Sequence, residues 1–186
     1  VDPEQVQEVE PGSVLIVRRD GTVTVDRYID EAPRKECTFE RIYFSRGNDP
    51  AIYGERKRLG RQLAKQVLDM VDWNVADTVY SFVPNTAETA FYGLVGETRR
   101  LVRGRQVEQL WEHIQKGEIK RDEIETLVTP QVRAEKIAHK DQRLRTFITH
   151  DAARRDLVMH VYDITRSLVS TDDTLIVLDD SIVRGT

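Results

Sequence analysis

The sequence predicts an α/β protein built on a parallel sheet. Three observations lead to this fold class: two strand-then-helix units between residues 39 and 96, a further apolar strand that starts near residue 174, and short polar loops at the strand ends. Strands that alternate with helices along a chain are typical of parallel sheets with helices on their faces. At 186 residues the chain is long enough to bury one good core.

Composition restricts the class of protein. Charged residues make up 32% of the chain, and no apolar run approaches the roughly 20 residues that a membrane span requires. The first residues lack the pattern of a secretory signal, so we expect a cytoplasmic protein. The net charge of −4 argues against a nucleic-acid partner. The single cysteine, Cys37, excludes an internal disulfide, and the four histidines lack zinc-type spacing.

The first part of the chain predicts a β-hairpin over residues 6–29. An apolar run, "SVLIV", is followed by the turn signal Asp20-Gly21 and by an alternating segment, "TVTV". The polar stretch "DEAPRKE" then serves as a linker. We therefore place a domain boundary after residue 33.

Two strand–helix units follow the linker. "FERIYFSR" alternates like a strand, and the next helix carries Leu59, Leu63, Val67 and Met70 at helical spacing. "DTVYSFVP" has the composition of a buried strand, and "AETAFYGLVGE" follows it as a helix. This order predicts a parallel pair of strands with helical connections.

Residues 97–135 interrupt the alternation with a charge-dense stretch. Its apolar residues lie on one helical face, and Gly117 is a helix stop, so we expect a helical hairpin at the domain edge. A lid or a partner surface is the alternative. "EKIAHKDQRLRTFI" then predicts extended structure, and Leu157, Val161, Ile164 and Leu168 have the spacing of another helix.

The last stretch, "TLIVLDDSIVRGT", holds the candidate site. A buried strand that ends in Asp179 and Asp180 puts two carboxylates at the edge where α/β proteins bind ligands. The small residues of the loop 181–186 offer backbone N–H groups to a phosphate, which the carboxylates would repel. The carboxylates therefore suit a sugar diol or Mg²⁺, and the pair of features suits a ribose 5-phosphate.

Other sites also place acidic residues after a strand. P-loop and response-regulator proteins are two such classes, and the glycine-lysine signature of the P-loop is absent from the sequence.

The same residues carry a family resemblance. "LIVLDDSIVRGT" resembles the phosphoribosyl pyrophosphate (PRPP) loop of type I phosphoribosyltransferases, and "DDSIVRGT" is the form seen in the glutamine amidophosphoribosyltransferase family. The segments "CTFERIYFSR", "IYGERKRLGRQLA", "FVPNTAETAFYGL" and "RTFI" resemble that family in the same order. "VQEVEPGSVLIV" resembles the closing strands of its N-terminal-nucleophile glutaminase domain.

The resemblance implies an internal piece of a larger enzyme. Residues 1–33 would close the glutaminase domain, and residues 34–186 would form the first part of a type I phosphoribosyltransferase-like parallel sheet, with a helical insertion at about 97–135. The whole enzyme would transfer glutamine-derived ammonia to PRPP and give 5-phosphoribosylamine, glutamate and pyrophosphate, in de novo purine biosynthesis. It would need Mg²⁺ and form a homo-oligomer, and we expect the piece alone to be inactive.

The resemblance also assigns residues. Metal contacts fall on Thr86, Asp179 and Asp180. PRPP contacts fall on Asp179, Asp180, Ser181, Ile182, Val183, Arg184, Gly185, Thr186 and Arg155. Lys140 and Arg145 are the implied catalytic residues, and Arg143 lies in the same segment; for each of these basic residues the alternative is a surface charge.

The sequence departs from the family pattern at two positions. Asn85 stands where the family has aspartate, and Tyr162 stands where lysine is usual. Because of these two departures, a PRPP-binding regulatory module is an alternative function. A base-salvage phosphoribosyltransferase is a further alternative, which the glutaminase-like segment at residues 6–29 disfavours. Some family members carry an iron–sulfur cluster with one ligand near Cys37, but a single thiolate cannot hold a cluster, so an unremarkable cysteine is the alternative.

Overall fold

The computed structural model describes residues 6–30, 37–117, 124, 131–140 and 162–180. The chain divides into two compact units, Val1–Phe39 and Glu40–Thr186. The identities of the two domains, and their boundary after residue 33, stay predictions.

The first unit contains a two-stranded antiparallel hairpin. Strand β1, Ser13–Val17, pairs with strand β2, Val23–Arg27, with Leu15 opposite Val25. Gly21 has a φ of 87°, which glycine adopts without steric cost, and this residue closes the turn. That the hairpin ends a glutaminase domain stays a prediction.

The second unit begins with a π-helical turn at Glu40–Phe44, so the predicted strand "FERIYFSR" is wrong. The guanidinium of Arg56 donates hydrogen bonds to the carbonyl oxygens of Arg41 and Ile42, at 2.9 and 2.8 Å. Arg41 in turn lies 2.6 Å from the Glu55 carboxylate. These tertiary contacts hold the segment against the following helix and override its alternating pattern.

Helix α1, Pro50–Met70, is confirmed. It begins where Asp49 accepts hydrogen bonds from the backbone N–H groups of Ala51 and Ile52, at 2.8 and 3.0 Å.

Of the four residues predicted at helical spacing in α1, Val67 packs against the core, but the buried positions lie one residue further along the helix. The buried positions are Gly60, Ala64 and Leu68, whereas Leu59 is 54% exposed and Met70 is 71% exposed. The helix turns its small residues inward because its neighbour packs very close to it.

Helix α2, Glu88–Lys116, runs without a break through the start of the predicted insertion. Its first part is the helix predicted after "DTVYSFVP", and its second part is the first helix of the expected hairpin. Gly117 ends it in a left-handed conformation with a φ of 69°, as predicted. The second helix of the expected hairpin lies outside the described residues, apart from Ile124, which is helical.

A three-stranded parallel sheet forms the centre of the second unit. Strand β3, Thr78–Phe82, lies between β4, Arg133–Ala134, and β7, Thr174–Leu178. The predicted strands at β3 and β7 are confirmed. Parallel strands with helices make this an α/β protein, and the sheet is compatible with a type I phosphoribosyltransferase-like fold.

An antiparallel ribbon extends from the second unit. Strand β5, Ala138–Lys140, pairs with β6, Tyr162–Ile164. The extended structure predicted around residue 138 is therefore confirmed, but the helix predicted to continue through Ile164 to Leu168 is wrong at this end. Pairing with β5 satisfies the backbone of these residues in place of helical hydrogen bonds.

The core lies between β3 and the two helices. Every residue of β3 is buried. The core cluster is completed from α1, α2 and the segment before β4, and consists of Ala64, Tyr80, Phe82, Ala87, Phe91, Leu94, Val95 and Val132.

Two glycines bring α1 and α2 into backbone contact. A Cβ atom on Gly60 would lie 1.8 Å from the carbonyl oxygen of Ala90, and one on Gly93 would lie 2.0 Å from that of Lys57. Each helix therefore fills the space that a side chain of the other would need.

We expect Gly93→Ala to lower the free energy of unfolding by about 1–3 kcal/mol, because the methyl group must push the α1 backbone away. Gly96→Ala is the matched control: it lies three residues further along α2 with nothing within 4 Å of its added Cβ. Alanine there should raise stability by up to about 1 kcal/mol through helix propensity. Urea unfolding of both variants tests this, and equal effects would contradict the close contact.

At the amino-terminal edge of the sheet, an ion pair joins the start of β4 to the residue before β7. The Arg133 guanidinium makes two hydrogen bonds with the Asp173 carboxylate, one of them at 3.0 Å, and the Asp173 side chain is only 6% exposed. Asp173 also accepts from the Ser170 N–H at 2.7 Å. Arg133 and the Ser170 N–H together lower the pKa of Asp173 from 3.8 to about 2.

Because this pKa is depressed in the folded state, the pair stabilises the fold above pH 3.8 and loses its effect as the pH falls to about 2. We expect Asp173→Asn to destabilise the protein at pH 7 and to match the unsubstituted protein near pH 2. The exposed neighbour Asp172 provides the control, since Asp172→Asn should change little at either pH. A difference for Asp173→Asn that is independent of pH would exclude this role.

Candidate functional site

The register of the sheet brings two loops together at its carboxyl edge. Phe82 at the end of β3 lies opposite Leu178 at the end of β7, and the Val83 N–H donates to the Leu178 carbonyl at 2.9 Å. The loop that leads from β3 to α2 therefore lies beside Asp179 and Asp180. This is the edge at which α/β proteins bind ligands.

Thr86, Asp179 and Asp180 meet at this edge. The Asp180 N–H donates to the Asp179 carboxylate at 2.8 Å, and the Asp180 carboxyl group interacts with that of Asp179. Thr86 reaches the Asp180 carboxyl from the neighbouring loop through a hydrogen bond of its hydroxyl group. Residues that stand far apart in the sequence thus form one cluster of oxygen atoms.

The cluster carries an electrostatic cost. Burial raises the pKa of Asp180, the adjacent Asp179 raises it further, and the Thr86 hydroxyl partly offsets both effects. Two carboxylates side by side are stabilised by a cation or by hydrogen-bond donors, so the cluster is suited to bind either.

The loop before α2 is tightly built. Pro84 and Ala87 are buried, Asn85 is exposed, and the Pro84–Asn85 peptide bond is cis. No side chain caps the first turn of α2, and the Asn85 carbonyl accepts the Glu88 N–H at 3.3 Å. The structure thus places Asn85 in the loop that also supplies Thr86.

The oxygen atoms of this cluster fit Mg²⁺. That ion is usually bound by one or two carboxylates while water and substrate phosphates complete its octahedron. Asp179, Asp180 and Thr86 supply such a partial set. Among the described residues, no group of three or more His, Cys, Asp and Glu side chains could hold a metal by itself.

Lys140 is the last residue of β5, three residues beyond Ile137, where the ribbon joins the sheet. The Ile137 N–H donates to the Ser81 hydroxyl at 3.3 Å, and the Thr165 N–H donates to the Ile137 carbonyl at 2.9 Å. The first contact attaches the ribbon near the carboxyl end of β3, and the second joins the two sides of the ribbon to each other. The Lys140 ammonium lies 5.8 Å from the centre of the Tyr162 ring, a contact that sequence reasoning missed.

Most of the other predicted site residues belong to parts of the chain that the structure does not describe. Arg143, Arg145, Arg155 and the loop Ser181, Ile182, Val183, Arg184, Gly185 and Thr186 lie outside the described residues. Cys37 is an exposed free cysteine of the first unit, and its role as a cluster ligand stays a prediction.

Comparison with known proteins agrees with the resemblance. An amidophosphoribosyltransferase from Synechocystis is 42% identical over 65 residues, which cover 33% of this chain and 13% of that protein. The chain is similar to amidophosphoribosyltransferases. An amidophosphoribosyltransferase from Drosophila melanogaster is 34% identical over 101 residues, which cover 50% of this chain and 17% of that protein.

The resemblance to amidophosphoribosyltransferases is thus confirmed over part of the chain. The matched regions span less than a fifth of these two amidophosphoribosyltransferases. No protein-family model matches the chain. Within the described residues, no helix is both long and apolar enough to cross a membrane.

We expect Asp180→Asn to raise the midpoint of thermal unfolding at pH 7, because the raised pKa of Asp180 means that its ionised form destabilises the fold. Asp172→Asn, at the other end of β7, is the matched control and should leave the midpoint unchanged. A lower midpoint for Asp180→Asn would show that the carboxylate instead stabilises the loop.

Proposed function

We propose that this chain carries the phosphoribosyl-transfer site of an amidophosphoribosyltransferase, with PRPP and Mg²⁺ bound at the carboxyl edge of the sheet. The observation that carries the proposal is the meeting of Thr86, Asp179 and Asp180 at that edge. The similarity to two amidophosphoribosyltransferases supports the same reaction class.

The acidic pair would bind the two ribose hydroxyls of PRPP. A vicinal diol donates two hydrogen bonds, and adjacent carboxylates supply the acceptors. Hydrogen bonding to the diol would stabilise the ionised Asp180 carboxylate, whose pKa is raised by burial and by the adjacent Asp179. When bound, Mg²⁺ would supply charge neutralisation for the departing pyrophosphate.

The remaining residues would position the phosphates. The Thr86 hydroxyl and the first turn of α2, which lacks a side-chain cap, offer hydrogen-bond donors at the same edge. Lys140 offers a positive charge from the ribbon, and Arg145 and Arg155 would add others. In this arrangement the protein acts by orientation and electrostatic stabilisation, with no covalent intermediate.

In the whole protein we propose that ammonia from glutamine displaces pyrophosphate from C1 of PRPP and gives 5-phosphoribosylamine, a step of purine biosynthesis. The proposed partners are therefore PRPP and glutamine-derived ammonia, in a cytoplasmic homo-oligomer. An iron–sulfur cluster bound through Cys37 would need further ligands from elsewhere in the protein.

Calorimetric titration of the full natural chain with PRPP, at saturating Mg²⁺, tests the site. We expect Asp179→Asn and Asp180→Asn to weaken PRPP binding about 10- to 100-fold, because each removes a charged hydrogen-bond acceptor. Thr86→Val should weaken it about 2- to 10-fold. The control Asp172→Asn should bind as the unsubstituted chain does.

Two outcomes would contradict the proposal. If the unsubstituted chain does not bind PRPP, the proposal is wrong. If Asp179→Asn and Asp180→Asn bind PRPP as tightly as the unsubstituted chain does, the site lies elsewhere. Pyrophosphate release on addition of ammonia then separates an enzyme from a regulatory module, since a regulatory module binds PRPP without turnover.

A further inference from the structure

A lysine and a tyrosine face each other across the two strands of the ribbon. Lys140 and Tyr162 are direct partners in the register of β5 and β6, and the ammonium lies 5.8 Å from the ring centre. This is within the roughly 6 Å at which a cation is attracted to an aromatic face. Both side chains are half-buried.

Among the described residues of β5 and β6, the register places no carboxylate on the same face as the Lys140 ammonium. Lys140, Tyr162, Ala138 and Ile164 share one face because side chains alternate along a strand. Asp163 pairs with His139 on the opposite face. An aromatic ring attracts the ammonium without neutralising it, so the charge of Lys140 stays available to an anion.

The base of the ribbon is fixed relative to the sheet. Ile137 is tied to Ser81 near the end of β3 and to Thr165 after β6, at 3.3 and 2.9 Å. Lys140 follows three residues later, or about 10 Å of extended chain. A short extended segment therefore connects Lys140 to the carboxyl edge of the sheet.

We propose that Tyr162 is a positioning residue, whose ring holds the Lys140 ammonium in place for the phosphates of PRPP. This role rests on the proposed function, because it takes Lys140 to contact PRPP. A lysine side chain has many rotamers, and a side chain held in place before binding loses less entropy when the ligand arrives. The ring would thus raise the affinity for PRPP without touching it.

Titration of the full natural chain with PRPP and Mg²⁺ tests this role. We expect Tyr162→Leu to raise the Kd about two- to fivefold, and Tyr162→Phe, which keeps the ring, to leave it unchanged. The matched control is Tyr53→Leu on α1, because the Lys57 ammonium lies over the Tyr53 ring at 5.7 Å from its centre. Tyr53→Leu should not change the Kd.

A double-mutant cycle separates positioning from a general effect on the fold. In a Lys140→Met chain, Tyr162→Leu should cause no further loss of PRPP affinity. Proton NMR gives a readout that needs no ligand: the ring current should shift the Lys140 ε-protons upfield, and the shift should vanish in Tyr162→Leu and persist in Tyr162→Phe.

The results distinguish the two proposals. PRPP binding that is insensitive to Tyr162→Leu, or equally sensitive in the Lys140→Met chain, overturns the role of Tyr162 and leaves the proposed function standing. Absence of PRPP binding by the unsubstituted chain overturns the proposed function and this role together.

Discussion

The parallel register of β3 and β7 is the constraint on which both the core and the candidate site depend. Tyr80 and Phe82 lie opposite Ile176 and Leu178, and all four contribute to one apolar cluster. A shift by one residue would turn the apolar side chains of β7 to the other face of the sheet. It would also move Asp180 away from Thr86. Burial of these apolar side chains therefore sets the geometry of the acidic pair.

Much of the secondary structure could be predicted from periodicity and turn residues. The apolar runs of β3 and β7 and the helical spacing of α1 are strong local signals. The failures are segments whose conformation depends on distant partners. Residues 40–44 form a π-helical turn around Arg56, and Tyr162–Ile164 is a strand because β5 pairs with it. Apolar spacing also does not identify the buried positions of α1, because small residues face the closely packed α2.

The candidate site was predictable in part for a simple reason. Parallel strands end at one edge, so the loop after β3 and the residues after β7 had to approach each other once both strands were identified. The Lys140–Tyr162 contact and the Arg133–Asp173 pair had no such signal. Both depend on which distant segments become neighbours in the fold, and a local sequence pattern does not encode that.

The glycine contact between α1 and α2 has a consequence for the site. The first turn of α2 continues directly from the loop that carries Thr86, so the depth to which α2 sits on α1 also sets the position of that hydroxyl. Asp179 and Asp180 directly follow β7 and would stay in place if α2 moved. Because Gly60 and Gly93 lack side chains, the two helices can approach closely, and this approach sets the distance between Thr86 and the acidic pair.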